Sequence, residues 1–318
     1  MQDSKVTSHP SSRSEWAAAA HLRVRKSHNV HDANSSIPLI PHREARLKDL
    51  LILLPCLFLV LQACEPVRTR PLIVGHRGAS AAAPENTLAA FRLGFEQGAD
   101  LVEGDFRLTG DGHIVAMHDR TLARTTGDPR ETGSLSLSEI RSLDAGNWGP
   151  WNGSDFRGER VPTLAEVLAI IPADGGILVE IKDSERIVPA LVLELERSGL
   201  GPDRVTVIAF DRQVIGSLKQ VAPEWKALWL TSFSKETGHW RPTADEIIDV
   251  ARSIDADGVD IRAEPEVIDE SFVRQLRSAG LEVHVWTVND PDLAMTMQST
   301  GIDSITSDRP SIILKALD

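Results

Sequence analysis

Eight short apolar runs, separated by longer stretches with helical patterning, constrain this chain more than any other feature. The runs are Leu72–Gly75, Leu101–Arg107, Ile177–Ile181, Val205–Ala209, Ala227–Leu230, Gly258–Ile261, Glu282–Thr287 and Asp303–Thr306. Helical segments are predicted over Thr87–Gln97, Leu164–Ile171, Arg186–Ser198, Arg212–Val221, Ala244–Ile254, Pro265–Ala279 and Pro291–Ser299, and Ser311–Leu317 closes the chain. Strands alternating with helices imply right-handed parallel βαβ units. Eight such units, with no Gly-rich dinucleotide turn after the first, predict an α/β fold of the closed (β/α)8 TIM-barrel type rather than an open sheet.

One unit departs from the alternation. Thr109-Gly110-Asp111-Gly112 is a turn signal, and Ile114–His118 reads as a further short strand. The next helix starts only near Pro162-Thr163-Leu164. Residues of about 109–160 therefore form a small insertion after the second strand, and Trp148, Trp151 and Phe156 give it something to pack. The barrel proper spans residues 71–318.

The N-terminus is of another kind. Residues 1–42 are rich in Ser, His and Ala without periodicity, which predicts disorder or a stretch upstream of the true start. The five histidines there are too irregularly spaced to suggest a metal site. Residues 43–63 read as a signal peptide: Arg43, Arg46 and Lys48 precede Leu50–Leu61, twelve residues without a charge. That run is too short to span a membrane, which needs about 20 residues. Leu61-Gln62-Ala63-Cys64 resembles a bacterial lipobox, with Cys64 as the lipidated residue. Gln62 stands where a small or aliphatic residue is commoner. The expectation is an envelope lipoprotein facing the periplasm, membrane-associated through its N-terminal lipid. Glu65, in place of the Asp of an inner-membrane retention signal, points by analogy to the outer membrane. Cys56 and Cys64 are the only cysteines and indicate no disulfide framework.

From residue 64 onward, 26 Lys and Arg face 41 Asp and Glu. Such an acidic body argues against a nucleic-acid partner, which needs clustered basic residues. It suits a protein that binds a cation.

Several of those acids sit inside the apolar runs. Residues two apart on a strand share a face, so Glu103 pairs with Asp105, and Glu180 with Lys182. Parallel strands are buried on both sides, and charges there are costly unless paired. At the C-terminal ends of barrel strands these pairs would converge near the axis. Glu103, Asp105 and Glu180 can supply oxygen ligands to a divalent cation, Ca²⁺ or Mg²⁺. With Arg77 and Lys182 the site would carry one net positive charge, which a phosphodiester monoanion balances. His76 and His118 fall where an acid and a base are needed. Glu85 and Asn86 open the first helix and could brace Arg77, although Asn86 could equally be the helix cap. His284 within the seventh strand and His239 in a loop read as structural.

The motifs His76-Arg77-Gly78, Pro84-Glu85-Asn86-Thr87, Glu103-Gly104-Asp105, His118-Asp119, Glu180-Ile181-Lys182 and Trp286-Thr287-Val288-Asn289 stand in the order of the glycerophosphodiester phosphodiesterase family, which this chain resembles from Leu72 to Leu317. The resemblance implies metal-dependent cleavage of a small-molecule glycerophosphodiester to sn-glycerol 3-phosphate and an alcohol. It implies Glu103, Asp105 and Glu180 as metal ligands, His76 and His118 as acid–base residues, and Arg77 and Lys182 as phosphate-binding. Trp286 would then face the glycerol carbons. Gly104 departs from the family's larger apolar residue and is expected to loosen the strand. A phospholipase D-like or lysophospholipid activity, or a non-catalytic envelope lipoprotein, are the alternatives.

Overall fold

The structure, a computed structural model, describes residues 70–318. The expectations for residues 1–42 and 43–63 and for Cys64 fall outside the described residues. In chain order the strands are β1 (Leu72–Gly75), β2 (Leu101–Leu108), β3 (Ile114–Ala116), β4 (Gly176–Ile181), β5 (Val205–Ala209), β6 (Lys226–Thr231), β7 (Ser234–Glu236), β8 (His239–Arg241), β9 (Gly258–Arg262), β10 (Glu282–Trp286) and β11 (Ser304–Ser307). The helices are α1 (Leu88–Glu96), α2 (Ala123–Thr126), α3 (Leu137–Ile140), α4 (Leu164–Leu168), α5 (Val188–Ser198), α6 (Arg212–Val221), α7 (Ala244–Ser253), α8 (Glu270–Ser278), α9 (Pro291–Ser299) and α10 (Pro310–Leu317).

Strands β1, β2, β4, β5, β6, β9, β10 and β11 pair in parallel in that order, and β11 returns to β1. The result is the closed eight-stranded barrel predicted from the alternation. Closure leaves no free edge, and each strand is covered outside by helices; β4 is buried at all six positions. Apolar residues on the outer faces of the strands pack against the helices in two large clusters, around Phe91, Phe106 and Leu191, and around Ile73, Val283 and Ile305. The inner faces meet in a small plug of Val74, Leu178, Ile208, Leu228 and Leu230.

Helix starts are written locally. Thr163 and Thr243 form capping boxes with Glu166 and Glu246, and Thr87, Asp211, Asp269 and Asp290 each accept a backbone N–H of the first turn. Each such cap contributes about 1 kcal/mol. The helix predicted from Pro265 begins only at Glu270, because Asp269 is the cap.

Strand β3 runs antiparallel to β2, with Arg107 opposite Val115. It leads into a lobe between β2 and α4 with its own apolar cluster of Val115, Met117, Leu122, Leu135, Ile140, Ala145 and Val161. Trp151 and Phe156 meet edge to face at 5.6 Å. The hairpin β7–β8 was not anticipated. His239 is exposed on it, and its Thr237-Gly238 turn has both φ angles positive.

Two glycines are required by close approach. A Cβ on Gly78 would lie 2.3 Å from the backbone of Ala90 in α1. A Cβ on Gly104 would lie 2.8 Å from the ring of Phe91. Gly104 therefore does not loosen β2: the fully buried Phe91 ring fills the space a larger residue would take. Among the described residues no helix is long and apolar enough to cross a membrane.

Candidate active site

Asp105 and Glu180 are register partners on neighbouring strands, and Glu103 lies two residues before Asp105 on the same face. One carboxylate oxygen from each falls within 4.8 Å of the others. The three are 2%, 0% and 6% exposed for Glu103, Asp105 and Glu180. Glu103 Oε1 has no hydrogen-bond partner among the described residues. Asp105 Oδ1 and Glu180 Oε1 face only the Lys182 ammonium, at 3.2 Å from Asp105 and in close contact with Glu180. Burial, reinforced by mutual repulsion, pushes Glu103 well above the carboxylate range and Glu180 to about 8. Burial pushes Asp105 up as well, but Arg77 and Lys182 outweigh it and hold this carboxyl below its usual value. Three converging hard oxygen donors with an orphaned lone pair fit a divalent cation.

The cations of the site are fixed by the acids they neutralise. Arg77 Nε lies 3.2 Å from Asp105 Oδ2, its Nη1 donates to Glu85 at 2.9 Å, and its backbone N–H donates to Glu103 at 2.9 Å. Arg77 and Asn86 both have positive φ, 52° and 58°. That strain is held because Asn86 N–H donates to the Arg77 carbonyl and the Asn86 amide bonds both the side chain and the backbone of Asp105. Asn86 therefore does not cap α1. Thr87 does. Asp105 and Glu180 outweigh the burial of Lys182 and raise its pKa.

Each histidine is backed by a carboxylate. His76, one residue beyond β1, has Nδ1 2.6 Å from Asp308 Oδ1, and Asp308 also accepts from Ser80 and Asn289. His118, in the loop after β3, has Nδ1 2.7 Å from Asp119 Oδ1. An ionised carboxylate calls for a proton on Nδ1, which leaves each Nε2 as the working nitrogen. His76 Nε2 stands 3.9 Å from Glu103 Oε2. Burial pushes the His118 pKa down, helped by Arg77 and opposed by Asp105. Arg107 donates to the His118 and Lys182 carbonyls and so clips two loops together.

Trp286, at the end of β10, packs edge to face with Phe210 at 5.6 Å and donates to the Asp260 carbonyl. Phe210 is 46% exposed and lies under Lys182, 5.7 Å from its ammonium. His284 is buried between Ser304 and Glu282 inside the barrel, away from this cluster of acids.

The structure thus brings Glu103, Asp105, Glu180, Arg77, Lys182, His76, His118, Glu85 and Asn86 to one mouth of the barrel. The bracing roles of Asp119, Asp308, Asn289 and Arg107 and the place of Phe210 were not anticipated, although Asp119 and Asn289 stand within the motifs. A signal existed for two: Asp119 adjoins His118, and Asp308 follows the last strand, where polar residues at C-terminal strand ends read as functional.

A TIM barrel with a carboxylate trio, two basic side chains and two braced imidazoles at its C-terminal mouth has the make-up of an enzyme that transfers protons at an anionic substrate. Residues 76–312 match the pattern of the Glycerophosphoryl diester phosphodiesterase family, and the chain belongs to that family. A glycerophosphodiester phosphodiesterase from Caldanaerobacter subterraneus subsp. tengcongensis is 31% identical over 77% of this chain and 97% of its own. An Oleispira antarctica phosphodiesterase solved in complex with the product sn-glycerol-3-phosphate is 30% identical, with a TM-score of 0.67 over 78% of this chain and 97% of that one. A glycerophosphodiester phosphodiesterase from Agrobacterium tumefaciens is 28% identical, with a TM-score of 0.64 over 77% and 99%.

Proposed function

We propose that the chain hydrolyses glycerophosphodiesters to sn-glycerol 3-phosphate and an alcohol, using His76 and His118 for proton transfer beside a divalent cation held by Glu103, Asp105 and Glu180. The observation that carries this reading is the convergence of three buried carboxylates within 4.8 Å beside two carboxylate-braced imidazoles, in a member of this family. Ca²⁺ or Mg²⁺ there would supply Lewis-acid polarisation of the phosphoryl group.

The chain's own residues do the rest. Arg77 and Lys182 offset phosphodiester charge. Their positions are set by Glu85, Asp105 and Glu180, so little ordering is left for substrate to impose. One imidazole takes a proton from the nucleophile, either water or the glycerol 2-hydroxyl, and the other protonates the leaving alkoxide. The lowered pKa of His118 keeps it neutral at pH 7, the form that accepts a proton at Nε2. The Phe210–Trp286 pair offers an apolar wall for glycerol carbons.

The test is a panel of diesters that includes glycerophosphocholine and lysophosphatidylcholine, assayed with EDTA and with Ca²⁺ or Mg²⁺ restored. Cation-dependent release of glycerol 3-phosphate and choline from glycerophosphocholine is expected. Preference for the acylated lipid would shift the reading to a lysophospholipid activity, and no hydrolysis across the panel would overturn it.

The same proposal includes anchoring through a lipidated Cys64 after cleavage of residues 43–63, supported by Leu50–Leu61 and Leu61-Gln62-Ala63-Cys64. A Cys64→Ala chain that still fractionates with the outer membrane would remove it.

A further inference from the structure

Arg124 in α2 carries a contact pattern that the proposed chemistry leaves unused. Its Nε and Nη2 donate to Asp119 at 2.7 and 3.2 Å, and its Nη1 and Nη2 donate to Glu85 at 2.7 and 2.8 Å. Asp119 in turn holds His118 Nδ1, and Glu85 holds Arg77 Nη1. One guanidinium therefore closes a chain from a proton-transfer imidazole to a phosphate-facing arginine, across two segments far apart in sequence. Trp148, from the same lobe, lies 5.3 Å from the guanidinium and is pinned by its own Nε1 bond to the Ala145 carbonyl.

We propose that Arg124 is a positioning residue that sets His118 and Arg77 together, and that this is what the lobe inserted after β2 contributes to the reaction. Every nitrogen of the guanidinium faces a carboxylate, so Arg124 acts through its partners and not on substrate. Two bidentate contacts in one plane need the guanidinium fork; an ammonium is a point charge and cannot make both. The inference rests on the reading that His118 and Arg77 serve the phosphodiester.

The test compares wild type with Arg124→Ala and Arg124→Lys in two ways. Nitrogen-15 NMR of the histidine rings reports the His118 tautomer without reference to activity. A single Nδ1–H form is expected in wild type and a mixture in both variants, with thermal midpoints close to wild type. On glycerophosphocholine with cation present, Arg124→Ala should lower kcat by about 10–100-fold, the scale typical of orienting groups behind working residues, and raise KM severalfold. Asp119→Asn should reproduce the kcat loss and Glu85→Gln the KM rise. Adding Arg124→Ala to a chain that carries both Asp119→Asn and Glu85→Gln should cost less than a further factor of two. An unchanged His118 tautomer in Arg124→Ala, or losses that multiply in the combined variant, would overturn the proposal. A wild type that leaves glycerophosphocholine intact, yet loses its single tautomer on Arg124→Ala, would refute the substrate reading and support the clamp.

Discussion

The barrel holds two clusters of charge, one at each mouth, and they are built on opposite terms. At the N-terminal mouth Glu282 accepts from Lys226 at 2.7 and 3.0 Å and from His284 at 3.2 Å, and His284 is held on its other side by Ser304 at 2.7 Å. Both Glu282 oxygens have donors. Burial pushes this carboxyl up, but His284 and Lys226 outweigh it and bring it to about 2. At the C-terminal mouth three acids share Arg77 and Lys182, Glu103 keeps an orphaned oxygen, and two of the three are driven upward. A satisfied cluster stabilises the fold. An unsatisfied one costs stability and is retained where a ligand completes it.

The sharpest break between the two ends should be catalytic. His118→Ala is expected to lower turnover of glycerophosphocholine by about 10²–10⁴-fold, the usual scale of acid–base catalysis, with the thermal midpoint unchanged. Near-normal turnover would remove His118 from the chemistry.

Cation affinity should separate the ends next. Glu180 titrates at about 8 and Glu103 above its usual range, so a bound cation must displace protons. Affinity measured by calorimetry should therefore rise from pH 5 to 8, by up to about tenfold per unit for each proton displaced. A flat profile would count against these acids as the ligands. Glu282→Gln should leave the profile untouched.

Stability effects are smaller. Asp260 is fully buried on β9, and burial raises it to about 7, offset only by His284. Its folded pKa lies above the unfolded value of about 3.9, so its cost is absent below pH 4, grows to pH 7 and is constant beyond. In cation-free protein Asp260→Asn should stabilise by about 1 kcal/mol at pH 8, after the penalty for a buried amide, and give no gain at pH 4. Equal effects at both values would contradict the assignment. Glu282 has the reverse sign: its stabilisation is present above its unfolded pKa and lost as pH falls towards 2. Because it is more than a third exposed, Glu282→Gln should cost only about 1 kcal/mol in denaturant unfolding at pH 7.

Legibility in the sequence followed burial. The eight barrel strands matched their apolar runs to within a residue or two, because a strand covered on both faces is written as a continuous run. The hairpin β7–β8 escaped because its residues are mostly exposed and Thr237-Gly238 is not among the usual Asn-Gly turn pairs. Glu103, Asp105 and Glu180 stood out as charges inside apolar strands. Asp119 and Asp308 gave only the weak signals of adjacency to His118 and of a strand end, and Arg124 gave none, since an exposed charge looks the same whether solvated or bracing another side chain.

The sequence by itself determined the barrel and the identities of the charged side chains at its strand ends, because βα periodicity and charges in buried runs are local signals. Only the tertiary structure decided which carboxylate backs which histidine, that Asn86 braces Asp105 instead of capping a helix, and that Phe91 occupies the space left by Gly104. Those pairings run from adjacent residues, His118 and Asp119, to His76 and Asp308, 232 positions apart, and barrel closure alone brings the distant ones within reach.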